Sequence, residues 1–113
     1  MIEIYHNPRC TKSRETLQLL ESKGIEPKVI EYLKDIPTEK ELKEILKKLG
    51  IKAYDLLRRN EAIFKEEYKG KDLTEDQWIE AMIEHPKLIE RPIVINGKKA
   101  ALGRPPEKVL DIL

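Results

Sequence analysis

The sequence has 113 residues, 40% of them hydrophobic and 38% charged, and its 22 Lys+Arg against 21 Asp+Glu leave a net charge of +1. That length holds one domain whose core needs no staples, and so balanced a charge excludes nucleic-acid binding driven by bulk basicity. The single cysteine, Cys10, excludes an internal disulfide and an all-cysteine metal site, and leaves a reactive thiol in play.

Met1-Ile2-Glu3-Ile4-Tyr5 has no basic region and no long apolar run, so no signal peptide is read there. No uncharged stretch approaches the roughly 20 residues of a membrane helix. A cytoplasmic monomer is expected, with neither a membrane nor a nucleic acid as partner.

Ile2 to Tyr5 is rich in strand formers and reads as a first strand, closed by the turn His6-Asn7-Pro8-Arg9. A helix is predicted from about Thr11 to Lys23, with Leu17, Leu19 and Leu20 as its apolar stripe and Gly24 as a left-handed cap. Lys28 to Leu33 is a second strand, parallel to the first across a right-handed crossover. Thr38 and Glu41 form a capping-box pattern for a second helix through Leu42, Ile45, Leu46 and Leu49, ended by Gly50. Its lysines, Lys40, Lys43, Lys47 and Lys48, read as a solvated face. Ala53 to Arg59 reads as a short third helix, and Asn60 to Asp72 as charged and partly helical. Thr74 and Gln77 form another capping box, leading into Trp78, Ile79, Met82 and Ile83 before Pro86 stops the helix. Trp78 and Met82 are core positions at helical spacing, and His85 suits a C-terminal cap. Ile93-Val94-Ile95 and Lys98 to Leu102 flank Asn96-Gly97, a strong hairpin signal, and Pro105-Pro106 opens a last helix.

The order β-α-β, several helices, then β-β-α predicts an α/β, thioredoxin-like fold with a four-stranded mixed sheet. Residues 1–113 are read as a single domain with a helical insert at about 37–86. In such a fold the residue before the third strand's proline, here Arg91 before Pro92, faces the thiol-bearing loop, and the peptide between them is commonly cis.

Cys10 falls between a strand and the first turn of a helix, where unpaired amides and the helix dipole favour a thiolate and cradle an oxyanion. A lone cysteine is most often a small buried hydrophobe. Its flanks here are polar and cationic, which suits burial poorly. Arg9, Lys12 and Arg14 are expected to lower its pKa, and Ser13 to donate a hydrogen bond to the thiolate. Cys10-Thr11-Lys12-Ser13 is a C-x-x-S, so an oxidised Cys10 needs a thiol from another molecule. Arg58, Arg91 and Arg104 stand apart from the ordinary surface charge: each can grip a tetrahedral oxyanion, or make a solvated salt bridge. His6 can tune the thiolate or cap the first strand. Cys10, His6 and His85 are too dispersed for a metal site.

Together, Ile4 to Leu17, Leu56-Leu57-Arg58, His85-Pro86, Glu90-Arg91-Pro92-Ile93-Val94 and Gly103-Arg104-Pro105-Pro106 resemble, in order, the motifs of the ArsC family of glutaredoxin-coupled arsenate reductases. The resemblance covers essentially the whole chain. It implies that Cys10 attacks arsenate or a similar oxyanion, that Arg58, Arg91 and Arg104 hold the anion, and that His6 lies near the thiolate, with Ser13, Arg14 and Pro92 in support. It further implies glutathione and glutaredoxin as external reductants, no tightly bound cofactor, and release of arsenite. Two alternatives are an Spx-like regulator that binds RNA polymerase and a general glutathione-linked thiol oxidoreductase. Spx-type proteins usually carry C-x-x-C and lack an equivalent of Arg104 followed by prolines, so Ser13 and Arg104 favour the enzyme.

Overall fold

Strand β1, Ile2–Tyr5, is the centre from which the first half of the fold is built, in a computed structural model that describes residues 1–113. Helix α1, Thr11–Ser22, carries the chain to β2, Lys28–Ile30, which lies parallel to β1 with Ile4 opposite Val29. Much later in the sequence, β3, Ile93–Asn96, and β4, Lys99–Leu102, complete a sheet of order β2-β1-β3-β4. The β1–β3 and β3–β4 pairs are antiparallel. This order, closed by a 3-10 helix over Pro106–Ile112, is the expected thioredoxin-like arrangement with a mixed four-stranded sheet.

Ile4 and Val94 sit opposite each other on one face of the sheet. They pack with Leu20 of α1 and Val109 of the last helix, and all four are fully buried. Ile2, Leu17, Leu19, Ile25, Ala101 and Ile112 extend this cluster. Burying each such aliphatic side chain contributes about 1.5–3 kcal/mol, so the cluster fixes where α1 starts relative to the sheet.

Backbone contacts divide the chain into two compact units: Met1–Asp35 with Arg91–Leu113, and Ile36–Glu90. The second unit holds α2, Glu39–Leu49; α3, Ala53–Leu56; α4, Ala62–Glu67; α5, Glu75–Glu84; and a 3-10 turn, Pro86–Leu88. Both predicted capping boxes form: Thr38 with Glu41 at the head of α2, and Thr74 with Gln77 at the head of α5. Gly50 ends α2 at a φ of 71°, as its position suggested. Trp78 and Met82 are buried, and His85 caps α5 with its Nε2 3.7 Å from Glu67.

Four boundaries differ from expectation, each for a local reason. β2 stops at Ile30, because the Glu31 carbonyl accepts the amides of both Lys34 and Asp35 and turns the chain. α3 stops at Leu56, because Leu57 bridges to Ile89 and the Arg58 amide donates to the Leu88 carbonyl at 2.7 Å. In the hairpin, Asn96 pairs with Lys99, so the turn residues are Gly97 and Lys98. Gly97 has a φ of 63° and Lys98 a negative one, which suits a type II′ turn with glycine first. The last helix is 3-10 throughout: two successive prolines withhold two amide donors, and Lys108 bonds back to Pro105 three residues away.

Candidate active site

The chain leaves β1 with the His6 amide still bonded to Ile30, then turns around Asn7. Asn7 organises the loop twice over. Its side-chain oxygen accepts the Arg9 amide at 3.0 Å, and its carbonyl accepts the Cys10 amide at 3.0 Å. These two bonds seat Cys10 at the N-cap of α1 in an extended conformation, φ −95° and ψ 124°. The Cys10 carbonyl takes the Arg14 amide, so the helix begins immediately after the thiol.

Cys10 is 8% exposed. Burial alone pushes its thiol pKa up. The backbone amide of Ser13, the contact and charge of the Arg91 guanidinium and the charge of Arg104 outweigh that penalty, and the pKa lies below the ordinary thiol value. Arg104 reaches the sulfur with Nη2 at 3.6 Å. Its Nε donates to the Arg91 carbonyl at 2.7 Å, so one arginine's backbone aims the other's side chain. Both Arg91-Pro92 and Arg104-Pro105 are cis peptides.

Gly103 brings Arg104 this close. Its amide donates to the Pro92 carbonyl at 3.0 Å. A Cβ at this position would collide with Thr16 Oγ1 and come within 2.7 Å of Pro92 Cγ. Thr16 is fully buried and its hydroxyl donates to the Lys12 carbonyl, in the first turn of α1. The end of β4 therefore rests directly on the thiol-bearing turn and on the proline that follows Arg91.

Beneath the loop, His6 and Ser13 are buried together, with His6 Nδ1 2.6 Å from Ser13 Oγ. The Asn7 amide donates to the same hydroxyl at 3.0 Å. The expectation that the Ser13 hydroxyl serves the thiolate is thus corrected: its hydroxyl ties His6 to the loop, and it is the Ser13 amide that acts on the sulfur. Burial lowers the His6 pKa; the charge of Glu31 opposes this and that of Arg14 adds to it. A neutral His6 can accept the Ser13 hydroxyl proton while the hydroxyl accepts from Asn7, which satisfies all three groups.

The cations beside Cys10 in sequence do other work than expected. Arg14 is exposed and braces the loop, donating from Nη1 to the Pro8 carbonyl at 2.9 Å and from Nη2 to Thr11 Oγ1 at 3.3 Å. Lys12 lies 3.9 Å from Glu15, and Arg9 is exposed. The pKa of Cys10 is lowered instead by arginines remote in sequence, Arg91 and Arg104. Arg58 lies in the helical unit, where its guanidinium pairs with Glu61 and its Nε is 3.6 Å from Glu90. Asn7, Thr16 and Gly103 were not singled out from the sequence. The signals available were Asn-Pro after a strand and a lone glycine before Arg-Pro-Pro. No group of three or more His, Cys, Asp or Glu is arranged to hold a metal, and no helix is long and apolar enough to cross a membrane.

The chemical content of this geometry is a thiol of lowered pKa at a helix start with two guanidinium groups on it. Comparison with known proteins agrees with that constellation. The chain is 51% identical to an arsenate reductase of Haemophilus influenzae over 97% of each chain. It is 48% identical to the uncharacterized protein YfgD of Escherichia coli, over 99% of this chain and 96% of that one. The solved structure of an arsenate reductase from Vibrio cholerae superposes with a TM-score of 0.96 at 51% identity, covering 99% of this chain and 97% of that one. The ArsC family model matches residues 5–112, and the chain belongs to the ArsC family.

Proposed function

We propose that the protein is an arsenate reductase that uses external thiols. The Cys10 thiolate attacks arsenate and forms a sulfur–arsenic bond as an arsenate oxygen leaves as water. Glutathione replaces a second oxygen on arsenic. A glutaredoxin thiolate then attacks the glutathione sulfur, forming a mixed disulfide and leaving the electron pair on arsenic. Arsenic is thereby reduced from the +5 to the +3 state, and hydrolysis returns the Cys10 thiol and releases arsenite.

The observation that carries this reading is the placing of Cys10 at the start of α1 under Arg91 and Arg104. Both guanidiniums favour the nucleophilic thiolate, and both offer planar donors to the oxygens of a tetrahedral anion. The lone cysteine requires the external thiols. On the family's pattern, Arg58 is proposed as the third arginine for the anion, and His6 as the group that steadies the thiol loop through Ser13. The similar proteins named arsenate reductase support the choice of substrate.

The test is NADPH-coupled arsenate reduction with glutathione, glutathione reductase and glutaredoxin. Turnover that depends on all three thiol components and vanishes in Cys10→Ser is expected. Activity that survives Cys10→Ser overturns the mechanism. Absence of arsenate turnover together with co-purification of RNA polymerase would favour the regulator reading instead.

A further inference from the structure

We propose that Glu61 and Glu90 form a carboxylate clamp on Arg58, and that the substrate oxyanion must displace Glu61 to reach the guanidinium. This deepens the reading of Arg58 as the third arginine for the anion, on which it rests. All three residues lie in the unit Ile36–Glu90. An arginine offers its N–H donors in a planar fork, and a carboxylate and a tetrahedral oxyanion compete for that same fork.

The guanidinium is already met on two sides. Its Nη1 donates to Glu61 Oε1, and its Nε lies 3.6 Å from Glu90 Oε1. The backbone builds this arrangement. The Arg58 amide donates to the Leu88 carbonyl at 2.7 Å and the Glu90 amide to the Leu56 carbonyl at 2.9 Å, on either side of the bridge between Leu57 and Ile89. The Glu61 amide donates to the Arg58 carbonyl at 3.2 Å, and Glu61 then caps α4, its own carbonyl taking the Phe64 and Lys65 amides. The side chains of Arg58, Glu61 and Glu90 are 22%, 28% and 24% exposed, whereas both side chains of every lysine ion pair are at least 45% exposed. Water therefore screens the charges around Arg58 less than it screens those pairs.

One guanidinium against two carboxylates leaves a formal charge of −1 on the trio. An oxyanion coming to Arg58 meets net repulsion until a carboxylate moves away. The two glutamates are not equivalent. Glu61 holds Nη1 through a hydrogen bond, so it occupies a donor that the anion needs. Glu90, at 3.6 Å from Nε, lies beyond hydrogen-bond reach and acts through its charge alone. Moving Glu61 frees Nη1, while Glu90 stays beside Nε and keeps the guanidinium where it is. Arg104, by contrast, donates to the Cys10 sulfur and the Arg91 carbonyl. Anion affinity is thus set by a competition inside the helical unit as well as by the arginines that touch the thiol.

The experiment reads anion binding apart from turnover. Arsenate and inorganic phosphate are titrated as protectants of Cys10 against alkylation by iodoacetamide. The proteins compared are wild type, Glu61→Gln, Glu90→Gln, Arg58→Ala and the double variant Arg58→Ala/Glu61→Gln. Glutamine keeps the shape and an acceptor for Nη1 but drops the charge. In Glu61→Gln, half-protection is expected at an anion concentration about two- to fivefold lower than in wild type, the range set by a partly screened ion pair. Glu90→Gln should gain less, and the gain from Glu61→Gln should disappear once Arg58 is alanine. A glutamate that served stability alone would give no gain in anion affinity. Equal or weaker protection in Glu61→Gln overturns the clamp. So does a gain of the same size in the Arg58→Ala background, which would make Glu61 a general repulsive charge. Arsenate turnover by the wild type separates this from the functional reading. Turnover without tighter binding in Glu61→Gln removes only the clamp, and tighter binding without wild-type turnover removes only the arsenate assignment.

Discussion

In the unit that carries Cys10, four polar residues are buried: His6, Asn7, Ser13 and Thr16. In the helical unit, Ile36–Glu90, the buried side chains are aliphatic or aromatic, among them Leu42, Ile45, Phe64, Trp78 and Met82. Burying a polar group without a partner costs free energy, so a unit that buries four of them must satisfy them all. It does so by spending them on one loop and one helical turn. The comparison teaches that the helical unit is stabilised mainly by shape and capping. The thiol unit has an aliphatic core as well, and adds to it a polar network that holds one sulfur in place.

The comparison can be broken most forcefully at Arg104. Arg104→Ala removes a charge-assisted contact to the thiolate, worth about 1.5–3 kcal/mol, so kcat/KM for arsenate should fall about 10- to 100-fold. The thiol pKa should rise in the same variant, as read from ultraviolet thiolate absorbance. Next, Ser13→Ala strands the Asn7 amide and deprives His6 of its partner, at a cost of about 2–3 kcal/mol in urea unfolding. A comparable cost from a single hydroxyl in the helical unit would erase the contrast.

Gly103→Ala forces a methyl group against Thr16 and Pro92, costing about 1–3 kcal/mol. It should also raise the thiol pKa by displacing Arg104, and adding Thr16→Ala should return part of both losses. In the helical unit, Thr74→Ala removes the cap of α5 and should cost about 1 kcal/mol of stability while leaving the thiol pKa unchanged.

The finest distinction lies in pH dependence. His6 has a lowered pKa in the folded protein, so the unfolded chain takes up the proton first, and stability should decline as pH drops below about 6.5. Cys10 has a lowered pKa too, so its contribution is complete above the ordinary thiol pKa and is lost as pH falls through the lowered one. Cys10→Ser should abolish that second slope, and retention of the slope would assign it to another group.

The two units were also unequally legible. Capping boxes at Thr38 and Thr74, helical periodicity and the glycine stop at Gly50 are local codes, and they foretold α2 and α5 from the sequence. Cys10 at a helix start was equally local. The electrostatics around it were not. Neighbouring cations in sequence, Arg9, Lys12 and Arg14, point to solvent, to Glu15 or to the loop backbone, while the cations that lower the pKa, beside the Ser13 amide, come from beyond the helical unit. The Ser13 hydroxyl was assigned to the wrong partner because direction depends on burial of His6, which no periodicity reports. Gly103 was invisible as a spacer, since its contacts with Thr16 and Pro92 exist only after three segments have met.

The distance in sequence between Cys10 and Arg104 has a further consequence, for the order in which the protein acquires its reactivity. The two residues are 94 positions apart. At a synthesis rate of about 5–20 residues per second, Cys10 is made roughly 5 to 20 seconds before Arg104. During that interval the nascent chain carries a thiol without either guanidinium that lowers its pKa, and such a thiol is protonated at neutral pH. The guanidiniums' share in lowering the thiol pKa is thus added last, as β3 and β4 close on β1 and α1. A chain interrupted before Arg91 would hold a thiol with ordinary reactivity, so incomplete products carry little of the hazard that the finished site's reactive sulfur would pose.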